Sequence, residues 1–252
     1  MKAAQTTARR GHKVTLFEAS PRLGGQALLA QLIPARAEFG GLVTNLEQEL
    51  RGLNIDIRLN APIDKSLVQG ETPDVIIFAT GAKPYWPEFE RDGSMQVVDA
   101  WQILQDEVRV GKNVVISDWR SDWIGMGVAE KLALQGCNVI LAVNGLHAGE
   151  MLQLYVRDST AGRLHNLEVK ILPYARLFGC DDDTVYLQHS ITDAAMVLEH
   201  IDTLVLSHRH QRVDYLIDEL EGIAPIYSIG DCLAPRTAEE AVLDGLRVGF
   251  KL

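Results

Sequence analysis

Apolar residues fall into short runs that alternate with stretches of helical spacing. "PDVIIFATG" (73–81) is a continuous apolar run of the kind found in strands buried on both faces. "NIDIRLN" (54–60) alternates as a half-buried strand does, and the amphipathic stretch 40–50 has the spacing of a helix. Because strand-like runs alternate with helical stretches, we predict an α/β fold with a parallel sheet covered by helices.

The same strand and helix pattern occurs twice. "NVVISD" (113–118) is predicted as a strand, residues 125–136 as a helix, and "NVILAVNG" (138–145) as the next strand. The segment 1–20, "MKAAQTTARRGHKVTLFEAS", repeats the helix and second strand, with Gly11 ending the helix. Two tandem nucleotide-binding folds of the Rossmann-like type are therefore predicted.

Later strands and one boundary complete the prediction. "KPYWPEFERDG" (83–93) contains two prolines and ends in glycine, so we expect a domain boundary near residue 95. A helix is predicted from about Thr237 to the last residues. The other predicted strands are 168–177 ("EVKILPYARL"), 183–190 ("DTVYLQHS"), 202–208 ("DTLVLSH") and 225–231 ("PIYSIGD").

Composition excludes several classes of protein. The net charge of −10 and the lack of a long basic run argue against a nucleic-acid or anionic-membrane surface. Three cysteines without a C-x-x-C pair encode neither a zinc ribbon nor a dithiol centre. Their odd number, with no signal peptide in the sequence, favours a reducing cytoplasm. No apolar run approaches the roughly 20 residues that span a bilayer.

The segment 13–26, "KVTLFEASPRLGGQ", carries the first chemical signal. It is typical of a strand that ends in an acidic residue, Glu18, and is followed by a turn with paired glycines. In dinucleotide-binding units such an acidic residue binds a ribose hydroxyl about 20 residues after a G-x-G-x-x-G loop. Only 17 residues precede Glu18, and they contain one glycine, Gly11. We therefore expect the first strand and phosphate loop to be missing, with flavin or ADP affinity weakened or lost.

With "FEASPRLGGQ", "IIFATGAKP" and "IYSIGDCLAPRTAEEAVLDG" in view, the chain resembles the C-terminal portion of the trimethylamine dehydrogenase and 2,4-dienoyl-CoA reductase family. These old-yellow-enzyme-like NADH:flavin oxidoreductases have an FMN barrel before a glutathione-reductase-like pair of nucleotide-binding domains. The resemblance implies a truncated FAD-binding or ADP-binding domain at 1–95 plus 209–252. It also implies an inserted NAD(P)-binding-like domain at 96–208.

The resemblance also implies a set of cofactor-binding residues. Glu18 would bind the adenosine ribose, and the turn Arg22, Gly24, Gly25 and Gln26 would lie along the adenine-side diphosphate. Ala79, Thr80 and Gly81 would form the crossing where the chain leaves the FAD domain, close to the cofactor. Gly230 and Asp231 would approach the ribityl and diphosphate part of a flavin. A carboxylate accepts hydroxyl donors, and glycines let backbone N–H groups approach phosphate oxygens.

The second domain departs from a working NAD(P) site. After its first strand the sequence gives "DWRSDWIGMG" (118–127), which places two tryptophans and two carboxylates where a pyrophosphate would lie. We therefore expect it to bind no NAD(P). In this it resembles the amine-dehydrogenase branch, where the corresponding site is vacant, more than the reductase branch, which uses NADPH.

Other candidate residues favour structural roles. Cys232 is expected to be a buried, inert thiol, and Trp119 and Trp123 to pack. His208 and His210 lack a third ligand, and residues 181–183 are expected to form a solvated acidic turn, so no metal site is predicted. No catalytic residue is predicted, and hydrolase chemistry is unsupported.

Two functions remain open from the sequence. The first is a C-terminal nucleotide-binding fragment of an FMN/FAD-dependent oxidoreductase, which binds FAD or ADP, docks on the FMN-barrel portion and is not catalytic alone. The alternative is a non-catalytic remnant or partner subunit that keeps the fold as an interaction module. A compact NAD(P)H reductase ranks last. Because a missing strand exposes a sheet edge, homodimerisation or partial disorder near residues 1–12 is expected.

Overall fold

The computed structural model describes residues 1–252, which divide into two compact units. Unit 1 comprises residues 1–31, 37–83 and 210–252, and unit 2 comprises residues 32–36 and 84–209. The chain leaves unit 1 after Lys83, earlier than the boundary expected near residue 95. The assignment of residues 32–36 to unit 2 was not foreseen from the sequence.

Helices and strands alternate along the chain, as the apolar pattern predicted. The helices are α1 (Lys2–Arg9), α2 (Ala27–Ala30), α3 (Phe39–Leu50), α4 (Lys65–Glu71), α5 (Ala100–Leu104), α6 (Trp123–Leu134), α7 (Leu154–Asn166) and α8 (Ala238–Lys251). The strands are β1 (Val14–Phe17), β2 (Ile55–Arg58), β3 (Ile76–Phe78), β4 (Ala82–Pro84), β5 (Glu90–Arg91), β6 (Gln96–Asp99), β7 (Asn113–Asp118), β8 (Asn138–Val143), β9 (Lys170–Leu172), β10 (Ala175–Cys180), β11 (Val185–His189), β12 (Ala195–Leu198), β13 (Thr203–Ser207), β14 (His210–Arg212) and β15 (Ile226–Ser228).

Unit 1 contains two separate parallel strand pairs. β1 pairs with β2, with Val14 opposite Ile55, and β3 pairs with β15, with Ile76 opposite Ile226. No strand joins the two pairs into one sheet. The main sheet of unit 1 is therefore interrupted.

Helix α1 connects the two strand pairs of unit 1 through its buried face. Ala3 belongs to an apolar cluster with Ile77 and Tyr227, which lie on β3 and β15. Its neighbour Ala4 belongs to a second cluster that includes Val14 and Ile55, on β1 and β2. The small side chains that predicted close helix-to-sheet packing thus contact both pairs. Since α1 is helical and its residues 3–7 are buried, the expectation of disorder near residues 1–12 was wrong, and homodimerisation stays a prediction.

Unit 2 is built on a continuous parallel sheet of five strands in the order β6-β13-β7-β8-β9. The last five residues of β7 and all five of β13 are buried, as expected for central strands covered on both faces. Helix α6 connects β7 to the neighbouring parallel strand β8. This is the complete strand, helix and strand unit that the sequence predicted.

A second sheet in unit 2 corrects one predicted strand. The order is β12-β11-β10-β5, with β10, β11 and β12 antiparallel. The run 168–177 was predicted as one strand, but it divides between β9 and β10. Tyr174 adopts a left-handed φ of 53° between them, which turns the chain from one sheet into the other. The apolar residues continue across this turn, so periodicity alone does not locate it.

The contact of α1 with α8 depends on a glycine. A Cβ at Gly249 would lie 2.6 Å from Cβ of Thr6, closer than side chains approach one another. We expect Gly249→Ala to lower the free energy of unfolding of unit 1 by about 1–3 kcal/mol, because the two helices must separate. Urea unfolding followed by circular dichroism measures the change.

Gly41→Ala is the matched control for this prediction. Gly41 also lies in a helix of unit 1, and a Cβ there would meet nothing within 4 Å. Its alanine variant should be more stable by about 0.5–1 kcal/mol, because alanine favours the helix. Equal effects of the two substitutions would show that the α1 to α8 contact tolerates a methyl group.

Candidate nucleotide-binding site

Glu18 lies directly after β1, where the sequence placed it. Its backbone N–H donates to the carbonyl of Arg58 at 2.9 Å, so the residue extends the pairing with β2. Its carboxylate accepts a hydrogen bond from the backbone N–H of Ser20 at 2.8 Å, which fixes the side chain at the carboxyl end of the strand. A half-buried carboxylate oriented in this way is available to accept hydroxyl donors.

The α-amino group of Met1, the N-cap residue of α1, interacts electrostatically with the Glu18 carboxylate. Burial lowers the pKa of the Met1 α-amino group, and the Glu18 carboxylate acts in the opposite direction. The N-terminus of a helix carries a partial positive charge, which favours an anion nearby. The carboxyl end of β1 therefore combines an acceptor, Glu18, with a helix N-terminus.

The paired glycines after β1 form a turn that requires their conformational freedom. Gly24 and Gly25 adopt φ of 124° and 51°, in the left-handed region that favours glycine. A Cβ at Gly24 would lie 2.9 Å from Leu28 and Val43, so Gly24 allows close packing inside unit 1. A Cβ at Gly25 would meet nothing within 4 Å, so the backbone there is open to a ligand. Arg22 is exposed before this turn.

Gln26 brings the glycine turn to the late G-D pair. Its Nε2 donates to Oδ2 of Asp231 at 3.0 Å, across 205 residues of sequence. A Cβ at Gly81 would lie 3.6 Å from the same Nε2, so Gln26 also adjoins the A-T-G segment. Three of the predicted segments, which are far apart in sequence, therefore meet at one place in unit 1.

The remaining predicted residues flank this meeting point. Gly230 has a φ of 59° and donates its N–H to Oδ2 of Asp244 at 3.2 Å. Thr80 is exposed, and its hydroxyl donates to the carbonyl of Val213. Ala79 is exposed beside it.

Sequence reasoning missed Asp244 and Arg236, which hold the G-D turn in place. Arg236 donates its backbone N–H to Oδ1 of Asp231 at 3.0 Å, and its guanidinium pairs with Asp244. The capping box formed by Thr237 and Glu240 starts α8 directly after Arg236. That box, "TAEE" in the sequence, was the available signal that α8 begins here.

The corresponding place in unit 2 is filled by carboxylates of the chain itself. Asp118, at the end of β7, is 1% exposed, and its carboxylate packs directly against Gly125 at the start of α6. Its Oδ1 accepts the backbone N–H groups of Arg120 and Ser121 at 3.1 and 3.2 Å. Asp122, the N-cap of α6, accepts the N–H of Ile124 at 2.9 Å. The backbone N–H groups of Arg120, Ser121 and Ile124 are thus bonded to carboxylates of the same chain.

Burial changes the protonation of this cluster. Desolvation, with a smaller contribution from Asp122, raises the pKa of Asp118 to about 7. His208 directly follows Ser207, which pairs with Asp118 in the sheet, and its Nε2 is 3.0 Å from the hydroxyl of Ser117. Desolvation, with the nearby Arg209, lowers the pKa of His208 to about 4. Oδ2 of Asp118 is buried without a hydrogen-bond partner. Burial of an unpartnered oxygen costs far more free energy when the carboxyl group is charged, so this environment favours the protonated form.

The two tryptophans of unit 2 pack against cationic and aromatic groups. The guanidinium of Arg36 lies 3.5 Å from the ring centre of Trp123. The ring of Trp119 stacks on His208 with centroids 6.3 Å apart and remains 41% exposed. The carboxylates, and not the tryptophans, therefore occupy the backbone donors of the turn before α6.

The acidic run 181–183 forms a turn closed by Asp181. Its carboxylate accepts the N–H groups of Asp183 and Thr184 and the hydroxyl of Tyr186, the last at 2.7 Å. The hydrogen bond from Tyr186 holds the pKa of Asp181 below its usual value. No group of three or more metal-ligating side chains lies together in the structure. The thiol of Cys232 is buried and donates to the carbonyl of Val213 at 3.4 Å.

Curated proteins that are similar to this chain include oxidoreductases. N,N-dimethylglycine/sarcosine dehydrogenase of Chromohalobacter salexigens is 29% identical over 98% of this chain and 42% of its own length. Bilirubin reductase of Mediterraneibacter gnavus is 27% identical over 92% of this chain and 36% of its own length. The chain therefore spans about two-fifths of these curated relatives, and no family model matches it.

Solved structures that are similar to this chain also include an oxidoreductase. A 2-naphthoyl-CoA reductase has a TM-score of 0.89 at 28% identity, over 100% of this chain and 38% of the reductase. A histamine dehydrogenase from Rhizobium has a TM-score of 0.92 at 21% identity, over 100% of this chain and 42% of that one, and shows the fold alone. The chain is thus similar to flavoprotein oxidoreductases.

These relatives confirm the resemblance to the trimethylamine dehydrogenase and 2,4-dienoyl-CoA reductase family, to whose C-terminal flavin-binding portion the chain corresponds. None of its helices is long and apolar enough to cross a membrane.

Asp118 makes the stability of unit 2 depend on pH. Its pKa is about 7 when folded and near 3.8 when unfolded, so folding binds a proton and stability falls as pH rises between these values. Asparagine has the shape of a protonated aspartic acid but does not ionise. We expect Asp118→Asn to be more stable than the wild type at pH 8 by about 2–4 kcal/mol.

Urea unfolding of both proteins across the pH range tests this expectation. Below about pH 4 the stabilities of the two proteins should converge, since Asp118 is then protonated in both states. His208 contributes the opposite slope in both proteins, because its lowered pKa removes stability as pH falls towards about 4, and it cancels in the difference. If the difference in stability between the two proteins did not change with pH, ionisation of Asp118 would not be its cause.

Proposed function

We propose that this chain is the nucleotide-binding portion of an FMN/FAD-dependent oxidoreductase, related to NADH:flavin oxidoreductases and amine dehydrogenases. The observation that carries the proposal is the contact of Gln26 with Asp231 beside Gly81, which brings together three segments that the sequence predicted to bind the cofactor. The two units would be tandem glutathione-reductase-like domains, with the second inserted in the first. The isolated chain has no catalytic residue of its own in this proposal.

The residues of unit 1 fit the adenosine and diphosphate part of FAD, or ADP. Glu18 would accept the ribose hydroxyls, while Arg22, Gly24 and Gly25 would lie along the phosphates, where Gly25 leaves the backbone open. Gly230 and Asp231 would adjoin the ribityl end. A bound flavin would supply the electron-transfer chemistry. The chain itself would orient the nucleotide through these hydrogen bonds.

Unit 2 is proposed to bind no NAD(P). The backbone N–H groups of Arg120 and Ser121 are bonded to Asp118, and a pyrophosphate would have to displace that buried carboxylate from the start of α6. A second negative charge beside Asp122 would also be repelled. Unit 2 would then serve as a structural domain.

The partner of this chain in the proposal is an FMN-barrel portion like that of the family it resembles. The chain covers 38–42% of its structural relatives with TM-scores near 0.9, so their remaining length corresponds to parts outside the present chain. Docking against that portion and a cytoplasmic location are parts of the proposal. Substrate chemistry would lie in the barrel portion.

The second candidate is a non-catalytic remnant or partner subunit. It is favoured by one observation: the strands of unit 1 described here form two separate parallel pairs, β1 with β2 and β3 with β15, and no described strand joins them. In this case the fold would persist as an interaction module without a nucleotide.

The nucleotide content of the purified protein separates the two candidates. We expect FAD or ADP in the supernatant after heat denaturation, identified by chromatography, with flavin absorbance between about 300 and 550 nm if FAD is present. A protein that is empty as purified and takes up neither nucleotide would favour the remnant or partner subunit.

Substitution of Glu18 tests the proposed ribose contact. Glu18→Ala should weaken binding of FAD or ADP in calorimetry by about tenfold or more, because hydrogen bonds to a charged group contribute roughly 1.5–3 kcal/mol. Asp56→Ala is the matched control, since Asp56 is a carboxylate on the neighbouring strand β2 that pairs with Arg58. Equal losses in both variants would contradict a specific role for Glu18.

Titration with NADH and NADPH tests the proposal for unit 2. Trp119 and Trp123 follow Asp118 in sequence and would report a dinucleotide bound before α6 through their fluorescence. We expect no saturable change, because the donors there are bonded to Asp118 and Asp122. Saturable quenching that Asp118→Asn alters would overturn this part of the proposal.

A further inference from the structure

The glycine turn and helix α2 lie between two buried apolar side chains that belong to different cores. Leu23, before the turn, is 6% exposed and packs with Ala4 and Leu50 in unit 1. Ile33, after α2, is 7% exposed and belongs to the main apolar core of unit 2. No residue from 24 to 32 is buried. The segment between the two side chains is therefore anchored at its ends.

Helix α2 has little stability of its own. It is a single turn of four residues, none of them buried, and helices this short are not stable in water by themselves. The N–H of Leu28 donates to the carbonyl of Gly25 at 3.0 Å, and the N–H of Leu29 donates to the carbonyl of Gln26 at 3.0 Å. The conformations of α2 and of the glycine turn therefore depend on each other, and both depend on the anchors of the segment.

The anchor after α2 contacts one face of α6 at two points. Residues Leu32–Arg36, here called the tether, belong to unit 2, whereas the chain on both sides of them belongs to unit 1. A Cβ at Gly127 would overlap Cγ2 of Ile33, so the glycine makes room for the isoleucine. The guanidinium of Arg36 lies 3.5 Å from the ring centre of Trp123. Trp123 and Gly127 are four residues apart in α6, so they lie on the same face of the helix.

A tight turn presents both of these side chains. The N–H of Arg36 donates to the carbonyl of Ile33 at 3.0 Å, which closes a turn over Pro34 and Ala35. Pro34 fixes its own φ, and Ala35 adopts a left-handed φ of 58°, which is unfavourable for a residue with a Cβ. The contacts of Ile33 and Arg36 with α6 offset this local cost.

We propose that the tether positions the glycine turn for the nucleotide, with Ile33 as a positioning residue that is seated against Gly127. Ile33 lies seven residues after Gln26, and α2 connects the two. Loss of the contact with Gly127 therefore frees one end of the segment that carries Gly25 and Gln26. Unit 2 thus contributes to the site through the covalent chain without binding a nucleotide itself. The effect on nucleotide affinity rests on the proposed function, whereas the anchoring of the turn does not.

Substitution of Gly127 tests the tether from the side of α6. Gly127→Ala displaces Ile33, while alanine itself favours the helix. In the nucleotide-free protein, we expect hydrogen exchange of the Leu28 and Leu29 amides to accelerate by about tenfold or more, because the turn and α2 open more often. NMR measures the exchange of each amide.

Gly162→Ala is the matched control for this substitution. Gly162 lies in α7 of the same unit, and a Cβ there would meet nothing within 4 Å. Its alanine variant should leave exchange of the Leu28 and Leu29 amides unchanged. A general change in the stability of a helix in unit 2 is thereby separated from loss of the tether.

Two variants of Ile33 test the same contact from the side of the tether. Ile33→Ala removes the Cγ2 atom that fits against Gly127 and should accelerate exchange in α2 as Gly127→Ala does. Ile33→Val keeps two methyl groups on Cβ and should have a smaller effect than alanine. If Gly127→Ala does not fold, this pair still decides, because the alanine at position 33 leaves a cavity and introduces no overlap.

Nucleotide affinity measures the consequence for the site. In calorimetry with FAD or ADP, the Kd should rise about threefold or more in Gly127→Ala and Ile33→Ala, because a smaller fraction of molecules holds the turn ready. The Kd should not change in Gly162→Ala.

Three results would overturn the proposal. They are unchanged exchange of the Leu28 and Leu29 amides in Gly127→Ala and Ile33→Ala, equal acceleration in Gly162→Ala, and faster exchange with an unchanged Kd. If the wild type takes up neither nucleotide, the proposed function fails together with the effect on affinity. Amide exchange, which is measured without nucleotide, then still decides whether the tether anchors the turn.

Discussion

Pairing of backbone groups between parallel strands is the constraint on which both units depend. A strand in the interior of a parallel sheet needs a neighbour on each side, because its N–H and C=O groups alternate between the two edges. Unit 2 meets this condition with five adjacent strands, and its central strands are buried. Unit 1 meets it only within each pair, and α1 connects the pairs through Ala3 and Ala4.

Much of the fold could be predicted from the sequence because buried parallel strands are short apolar runs. β7 was predicted with its observed bounds, and α1 ends before Gly11 as expected. Breaks inside apolar runs were not predictable, since the left-handed turn at Tyr174 interrupts no hydrophobic pattern. Helix α7 was not singled out because its exposed first turn includes Leu154 and Tyr155, which obscures the helical period.

The candidate site was predictable only where single residue types carry the signal. An acidic residue after a strand and paired glycines are visible in the sequence, and the structure places Glu18 and Gly25 accordingly. The contact of Gln26 with Asp231 spans 205 residues and depends on the tertiary fold, so no local pattern indicates it. The burial of Asp118 likewise follows from packing against Gly125, which the spacing of the two residues does not reveal.

The start of α6 has a thermodynamic consequence. Helix N-termini that bind phosphate groups leave their first N–H donors to a ligand, so the stability of such a domain rises with the logarithm of ligand concentration. In unit 2 the donors before and within the first turn are bonded to Asp118 and Asp122, which belong to the same chain. Because Asp118 and Asp122 belong to the same chain as the donors, the effective concentration of these two carboxylates is constant. Under the proposal that unit 2 binds no NAD(P), the folding of this turn does not depend on nucleotide concentration.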